Sequence, residues 1–444
     1  MPNTLFGTDG VRGVANAELS CDLAFKLGLA AVTVYGKKIV VGRDTRLSGQ
    51  MLENALTAGI MAAGGTALCA GVIPTPAVAL LTVLYKADAG VVISASHNPP
   101  EYNGIKFFGP DGMKATDDAE DALANFALEG FKDFEYHTGE AVGRLEYLED
   151  AHERYISHAI STIDTNLSGL KIVVDCAHGA SCQTTPQALE RLGANVIAFN
   201  TDYTGYDINV GCGSTHLGQV RERVLKEHAD LGIAHDGDAD RVLFVDAQGN
   251  EIDGDYVLAF CSCDMLERGE LAQSEVVSTV MCNIGFVRAM KEHGISVYQT
   301  AVGDRYVLQQ MLEDGAVIGG EQSGHIIFLK HNTTGDGLVT AMQVLGVMKH
   351  TGKSLAELAS VMKHFPQALI NVKTPRKDEH STNPGVLAAI AAENAYLGDN
   401  GRVLVRASGT EPLVRVMVEA ETEEDAEQCA QRIAQVVRDE LDGE

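Results

Sequence analysis

Three times along the chain, a short run of apolar, largely β-branched residues gives way to a polar loop, an amphipathic stretch, one or two glycines and a second apolar run. The first copy has apolar runs at 38–42 and 66–69, with the amphipathic stretch at 51–63 and Gly64 and Gly65 closing it. The second has runs at 171–175 and 195–199 around a stretch at 186–192 and Gly193. The third has runs at 275–279 and 295–298 around a stretch at 286–293 and Gly294. Short apolar strands alternating with amphipathic helices that end at glycine predict α/β units. Each copy then adds a strand, a polar loop and a further strand: 90–93, 94–99 and 105–108; 231–234, 236–241 and 242–245; 316–318, 320–325 and 326–329. Folds of this class carry ligands on loops at the carboxyl ends of strands. Three such loops at equivalent places are therefore expected to converge on one cleft.

The pattern breaks after Pro366. An extended stretch at 368–374 is followed by a polar segment, a helix at 385–393 and strands at 401–405 and 413–419. A helix at 423–441 closes the chain. This order predicts a small α+β domain on an antiparallel sheet. Four domains are expected, at 1–150, 151–254, 255–366 and 367–444, in keeping with a length of 444 residues.

Charge narrows the functions open to such a chain. The formal net charge is −27, and nucleic-acid binding needs a basic face, so nucleic acid is excluded as a partner. An anionic substrate would have to be met by arginines and lysines gathered locally against that field. The nine cysteines are odd in number and form no Cys-x-x-Cys pair, which argues against a disulfide framework or zinc and for free thiols in a reducing cytoplasm. No apolar run is long enough to span a membrane, and the first residues lack the basic-then-apolar order of a signal peptide, so a cytoplasmic location without membrane partners is expected.

The loops carry the candidate chemistry. Asp236, Asp238 and Asp240 alternate along a tight loop that ends at Arg241. Three hard oxygen ligands that can turn to one point suit Mg²⁺. An EF-hand is rejected, because its sixth place needs Gly and holds Arg241, and its twelfth place lacks Glu. The loop Ser-Ala-Ser-His-Asn-Pro at 94–99 offers Ser96 as a nucleophile. Serine needs a base or a metal to activate it. The side chains of Ser96 and His97 are expected to diverge on an extended loop, which favours the metal. Glu321, Ser323 and His325, set between glycines, suit hydrogen bonds to sugar hydroxyls. Arg406, Ser408, Gly409, Thr410 and Arg415 combine guanidinium donors with a loop whose N–H groups can approach an anion, a phosphate site by chemical type. Arg12 sits in a glycine-rich turn at 6–13, and Lys106 on the strand after the serine loop is read as aimed at a phosphate.

Taken in order, the segments 6–13, 94–99, 236–241, 320–325 and 406–412 resemble the α-D-phosphohexomutases across the whole chain. The motifs Phe-Gly-Thr-Asp-Gly-Val-Arg-Gly at 6–13, Val-Gly-Asp-Arg-Tyr-Val at 302–307, Gly-Glu-Gln-Ser-Gly-His at 320–325 and Arg-Ala-Ser-Gly-Thr-Glu-Pro-Leu-Val-Arg at 406–415 are most similar to the bacterial branch acting on glucosamine phosphates. The resemblance implies three similar α/β domains with mixed sheets plus a smaller C-terminal α+β domain, around a central cleft. It implies that Ser96 is a phosphoserine and that Asp236, Asp238 and Asp240 hold one Mg²⁺ together with its phosphate. Glu321 and Ser323 would grip the sugar, and Arg406, Ser408, Thr410 and Arg415 its distal phosphate. His97, Lys106 and Arg241 join the catalytic set; Arg12, His325 and Gly409 join the substrate-binding set. Lys106, His97 and His325 are alternatives for the general base.

The implied reaction interconverts glucosamine 6-phosphate and glucosamine 1-phosphate, feeding UDP-N-acetylglucosamine and cell-wall precursors. Glucosamine 1,6-bisphosphate or glucose 1,6-bisphosphate would serve as activator, and the resemblance allows a homodimer. The alternative is a phosphomannomutase or phosphoglucomutase of the same family. Ala239 stands where the family usually has glycine, so the φ angle there is the point at which this loop would differ.

Overall fold

The repeated apolar runs become the centres of three sheets. The structure, a computed structural model, describes residues 5–7, 9–408 and 411–442. The first sheet contains β1 (Val11–Val14), β2 (Lys38–Arg43), β3 (Thr66–Val72), β4 (Ala89–Ile93), β5 (Tyr102–Phe108) and β6 (Arg144–Tyr147), in the order β1-β5-β4-β2-β3-β6. The second contains β7 (Lys171–Asp175), β8 (Asn195–Phe199), β9 (Leu231–His235), β10 (Val242–Asp246) and β11 (Glu251–Ile252), ordered β11-β10-β9-β7-β8. The third contains β12 (Glu275–Thr279), β13 (Ser296–Thr300), β14 (Ile318–Gly320) and β15 (Ile326–Phe328), ordered β13-β12-β14-β15.

One topology recurs in all three. The first strand of each copy pairs in parallel with the second and the third. The fourth returns antiparallel to the third: β5 on β4, β10 on β9 and β15 on β14. The polar loops of the sequence are therefore the connections of three equivalent hairpins. The sheets are mixed, as expected, and the central strands β4, β9 and β10 are buried at every position.

Helices cover these sheets. Leu47–Ala62 begins earlier than the apolar period alone indicates, because Leu-Ser-Gly-Gln at 47–50 forms its first turn without an apolar stripe. It packs so tightly on Cys21–Val34 that a Cβ on Gly28 would lie 2.1 Å from the Leu56 carbonyl, and one on Gly59 2.1 Å from that of Phe25. Only glycine permits that approach.

The fourth sheet is antiparallel, with β16 (Gln367–Lys373), β17 (Gly401–Ala407) and β18 (Leu413–Ala420) in the order β16-β18-β17. Val414, Val416 and Val418 on alternate positions of β18 are fully buried in the same core as Ala426, Cys429, Ala430, Ile433 and Val437 of the helix Glu423–Glu440. Periods of two and of 3.6 residues thus share one core, each buried valine contributing about 1.5–3 kcal/mol. Thr422 caps that helix by accepting from Asp425 N.

The chain divides into two compact units: Met1–Met281 with Gly294–Val361, and Cys282–His293 with Met362–Glu444. The second unit includes the helix Ile284–Glu292, which lies between β12 and β13 in sequence. Within this unit the buried Glu419 accepts from Ile284 N at 3.0 Å and Arg402 Nε at 2.6 Å, and Asn283 Nδ2 donates to the Phe365 carbonyl at 2.9 Å. All nine cysteines are free. No helix among the described residues is long and apolar enough to cross a membrane.

Candidate active site

The hairpin loops after β4, β9 and β14 meet in the first unit. Ser96 is buried, and its hydroxyl donates to Asp236 Oδ2 at 2.7 Å. Its backbone is left-handed, with φ +52°. That turn brings His97 Nδ1 to 3.3 Å from Ser96 Oγ, where the sequence reading expected the two side chains to diverge. An extended loop would have parted them; the positive φ does not. Arg241 NH1 also reaches His97 Nδ1, at 3.3 Å. An imidazole nitrogen that accepts from a guanidinium carries no proton, so the ring's proton lies on Nε2. Burial, and then the Arg241 and Arg12 charges, lower the pKa of His97 to about 4.

Asp236, Asp238 and Asp240 are all buried, with one ligand oxygen from each lying within 4.8 Å of the others. Lys106 Nζ stands 3.1 Å from Asp238 Oδ2, 2.9 Å from Asp9 Oδ2 and 3.8 Å from Asp240 Oδ2. Thr75 Oγ1 donates to Asp238 Oδ2 at 2.7 Å. His325 Nδ1 lies 3.6 Å from Asp240 Oδ2. Asp238 Oδ1 and Asp240 Oδ1 are buried and have no hydrogen-bond partner, Arg241 Nε standing 4.0 Å from the second. Burial and the neighbouring charges of Asp240 and Asp238 push the Asp236 carboxyl well above its usual range. Burial also works against charge on Asp240, but Lys106, His325 and Arg241 outweigh it and hold that carboxyl far below its usual range. Three buried carboxylates, two of them with idle oxygens, form a donor set that fits a hard divalent cation.

The cations are anchored as firmly. Burial opposes the charged form of Lys106, yet Asp238, Asp9 and Asp240 keep it protonated far into the alkaline range. Asp9 also receives Lys114 Nζ at 2.8 Å and Arg12 NH2 at 2.5 Å. Lys114 pairs in turn with Asp304, whose carboxylate is 3.4 Å from His325 Nε2. The turn that carries Asp9 lies against β5 because Gly10 has φ +82° and a Cβ there would meet the Ile105 carbonyl at 2.5 Å. Ala239, the departure noted in the sequence, has φ +54°. The alanine adopts the conformation that glycine would take freely, and its carbonyl accepts from Gly337 N at 3.0 Å.

Of the residues expected to meet a sugar, Glu321 Oε1 accepts from Gly303 N at 3.3 Å, His325 is buried and Ser323 is exposed. In the second unit, Arg406 and Arg415 face each other in the register of β17 and β18. Burial and the Arg415 charge lower the pKa of Arg406, and Arg415 Nε is buried without a partner. Two cations side by side with an idle donor call for an anion. Ser408 is buried, and Lys377 Nζ holds its carbonyl at 2.6 Å. Gly409 and Thr410 lie outside the described residues.

Several members of the first unit's cluster went unread in the sequence: Asp9, Asp44, Arg46, Thr75, Lys114, Asn209 and Asp304. Asp9 and Asp304 sit inside motifs quoted above, and Arg-Asp-Thr-Arg at 43–46, charged residues at the end of a buried strand, was a signal of the same kind.

Family models match along the whole chain, all described as phosphoglucomutase/phosphomannomutase: α/β/α domain I over 3–132, domain II over 150–249, domain III over 253–365 and the C-terminal domain over 369–436. A phosphoglucosamine mutase of Clostridium novyi (strain NT) is 51% identical over 442 residues, covering 98% of each chain. One from Desulforamulus reducens is 51% identical over 438 residues, 98% of this chain and 99% of its own. A phosphoglucomutase/phosphomannomutase family protein from Burkholderia thailandensis has the same fold, with a TM-score of 0.83 at 24% identity over 98% of this chain and 97% of its own. So does an N-acetylphosphoglucosamine mutase of Aspergillus fumigatus, solved with GlcNAc-6P and magnesium, with a TM-score of 0.70 at 20% identity over 98% and 96% of the two chains. With four consecutive domain models and near-complete relatives at half identity, the chain belongs to the phosphoglucomutase/phosphomannomutase family, the α-D-phosphohexomutases.

Proposed function

We propose that this enzyme is a phosphoglucosamine mutase, which interconverts glucosamine 6-phosphate and glucosamine 1-phosphate through a phosphorylated Ser96. The observation that carries the reading is the Ser96 hydroxyl 2.7 Å from Asp236, at the edge of a buried carboxylate triad, in a chain half identical to phosphoglucosamine mutases.

Asp236, Asp238 and Asp240 would hold one Mg²⁺ with a phosphate oxygen on Ser96, and the ion would supply charge neutralisation to the transferring phosphoryl group. Phospho-Ser96 gives its phosphoryl group to the free hydroxyl at one end of the sugar phosphate. The P–O bond to Oγ breaks, a P–O bond to the sugar forms, and the hydroxyl proton passes to a base, His97 or His325, since Lys106 is held in its charged form by Asp238, Asp9 and Asp240. The product is the 1,6-bisphosphate. After it turns round, the other phosphoryl group returns to Ser96 and the isomerised monophosphate leaves. Either 1,6-bisphosphate would restore enzyme that has lost its phosphate.

Lys106, Arg241 and Arg12 supply fixed positive charge beside Ser96, stabilising the transition state more than the ground state. Glu321, Ser323 and His325 orient the sugar, and Arg406, Ser408, Gly409, Thr410 and Arg415 take the phosphate that is not being transferred. Intact-mass measurement with phosphosite mapping tests the covalent step: one phosphate on Ser96 is expected. A panel of glucosamine, mannose and glucose phosphates tests the substrate, and comparable specificity constants for glucosamine and mannose phosphates would overturn the glucosamine assignment.

A further inference from the structure

Arg46 is the largest fully buried side chain in the molecule's described core, and all five of its N–H donors are used. Nε donates to Asp44 Oδ2 at 2.9 Å. NH1 donates to the carbonyls of Pro99 and Tyr102, the second at 3.0 Å. NH2 donates to those of Ser96 at 2.9 Å and Asn98 at 2.8 Å. The guanidinium thus grips three main-chain oxygens of the serine loop and one at the start of β5, and has no donor left for a phosphate.

The other end of the grip is Asp44. Its Oδ2 also accepts from Ser94 Oγ at 2.7 Å, and Ser94 Oγ accepts from Ser96 N at 2.9 Å. Both peptide groups of Ser96 therefore close back on one carboxylate: the N–H through Ser94, the C=O through Arg46. Asp44, Arg46, Ser94 and Ser96 are each at most 1% exposed. Asn209, from the loops after β8, adds a second donor to the Ser96 carbonyl at 2.8 Å. A non-glycine residue at φ +52° is disfavoured and persists where its surroundings over-determine it. Here the surroundings are this ring.

We infer that Arg46, tied to Asp44 and assisted by Asn209, is a positioning residue that holds the Ser96 backbone in its left-handed conformation and so aims Oγ at Asp236 and the transferring phosphoryl group. The inference rests on the reading of Ser96 as the phosphorylated nucleophile. It explains why arginine occupies the position: lysine carries the same charge but has only three donors on one nitrogen, and cannot bind Asp44 and all four carbonyls at once. Releasing the loop misplaces a reacting atom and leaves the sugar-binding side chains alone. The loss should therefore fall on kcat and spare KM.

The test is Arg46→Lys in the full chain, with thermal melting to establish that it folds. Steady-state kinetics would be combined with the rate at which glucose 1,6-bisphosphate phosphorylates dephosphorylated Ser96. Both kcat and the phosphorylation rate are expected to fall about 100-fold, with KM within about threefold of wild type. A folded Arg46→Lys protein with kcat within about threefold of wild type, or with its loss confined to KM, overturns the inference. Should that variant fail to fold, Asn209→Ala decides, since it removes one donor from the Ser96 carbonyl. A roughly tenfold fall in kcat at constant KM is expected, and an unchanged kcat overturns the inference. Phosphate mapped in the wild type to a residue other than Ser96 overturns the reading of the nucleophile itself, and the wild type alone reveals it.

Discussion

Ser96 and Asp236 lie 140 positions apart in the chain, yet the hydroxyl of the first donates to Oδ2 of the second at 2.7 Å. The two belong to equivalent hairpins of two successive copies of one topology, the connections β4–β5 and β9–β10. Contact between Ser96 and the carboxylate triad is thus a property of how two folded cores pack.

Ser96→Ala removes the proposed nucleophile and is expected to keep the fold. Mutase activity is expected to fall by about a thousandfold or more, as for other lost nucleophiles, while the melting temperature changes little. Activity at a tenth of wild type would exclude Ser96 as the covalent carrier.

Divalent cation should stabilise the protein as well as activate it. Ligand that binds only the native state at about 100 times its Kd adds roughly 2.7 kcal/mol, so Mg²⁺ is expected to raise the melting temperature by several degrees. Asp238→Asn should abolish most of that shift. An undiminished shift in the variant would place the cation elsewhere.

At Ala239, substitution by glycine should stabilise the protein. A left-handed alanine costs roughly 1–2 kcal/mol, part of which glycine's greater unfolded-state entropy cancels. A net gain of about 0.5–1 kcal/mol in denaturant unfolding is expected. Destabilisation by the same amount would mean that the Ala239 methyl, which is 1% exposed, contributes more by packing than the backbone conformation costs.

Lys114 pairs with both Asp9 and Asp304. Lys114→Met removes the cation that the two carboxylates share; Asp9 keeps Lys106 and Arg12, and Asp304 keeps His325, so the loss is that of charge-assisted hydrogen bonds, about 1.5–3 kcal/mol. Urea unfolding should show a loss of that order. A loss below about 1 kcal/mol, the range of an exposed pair, would show the network to be solvated.

Arg415→Ala should raise KM for the sugar phosphate by about tenfold, the size of one charge-assisted contact. It should also release more bisphosphate per turnover and leave Ser96 phosphorylation intact. Wild-type KM together with wild-type release would make Arg415 an ordinary surface charge.

What was legible in the sequence was what local physics sets. The strands at 38–42, 171–175 and 275–279 announce themselves by apolar β-branched runs, and the helices after them by their period and closing glycine. Asp236, Asp238 and Asp240 stood out because their spacing is local. Arg46 did not, because its meaning lies in carbonyls some 50 residues away, and the Lys114–Asp304 pair spans 190 positions. The edge strand β6 was missed because three of its four residues are exposed and carry no apolar run. Expecting Ser96 and His97 to diverge failed for a different reason: a positive φ at a serine leaves no mark in composition.

The recurrence of one hairpin in three separate cores makes the molecule a kit for redesign. Each loop is anchored by its own antiparallel pair, and the register of β14 with β15 owes nothing to that of β4 with β5. Exchanging residues 321–323, while keeping Gly324 and His325, which touch Val242 and Asp240 at the aspartate loop, is expected to retune which sugar is accepted and to leave the serine and aspartate loops in place. A change to the serine or aspartate loop has no such freedom, because those two are hydrogen-bonded to each other and must be altered as a pair.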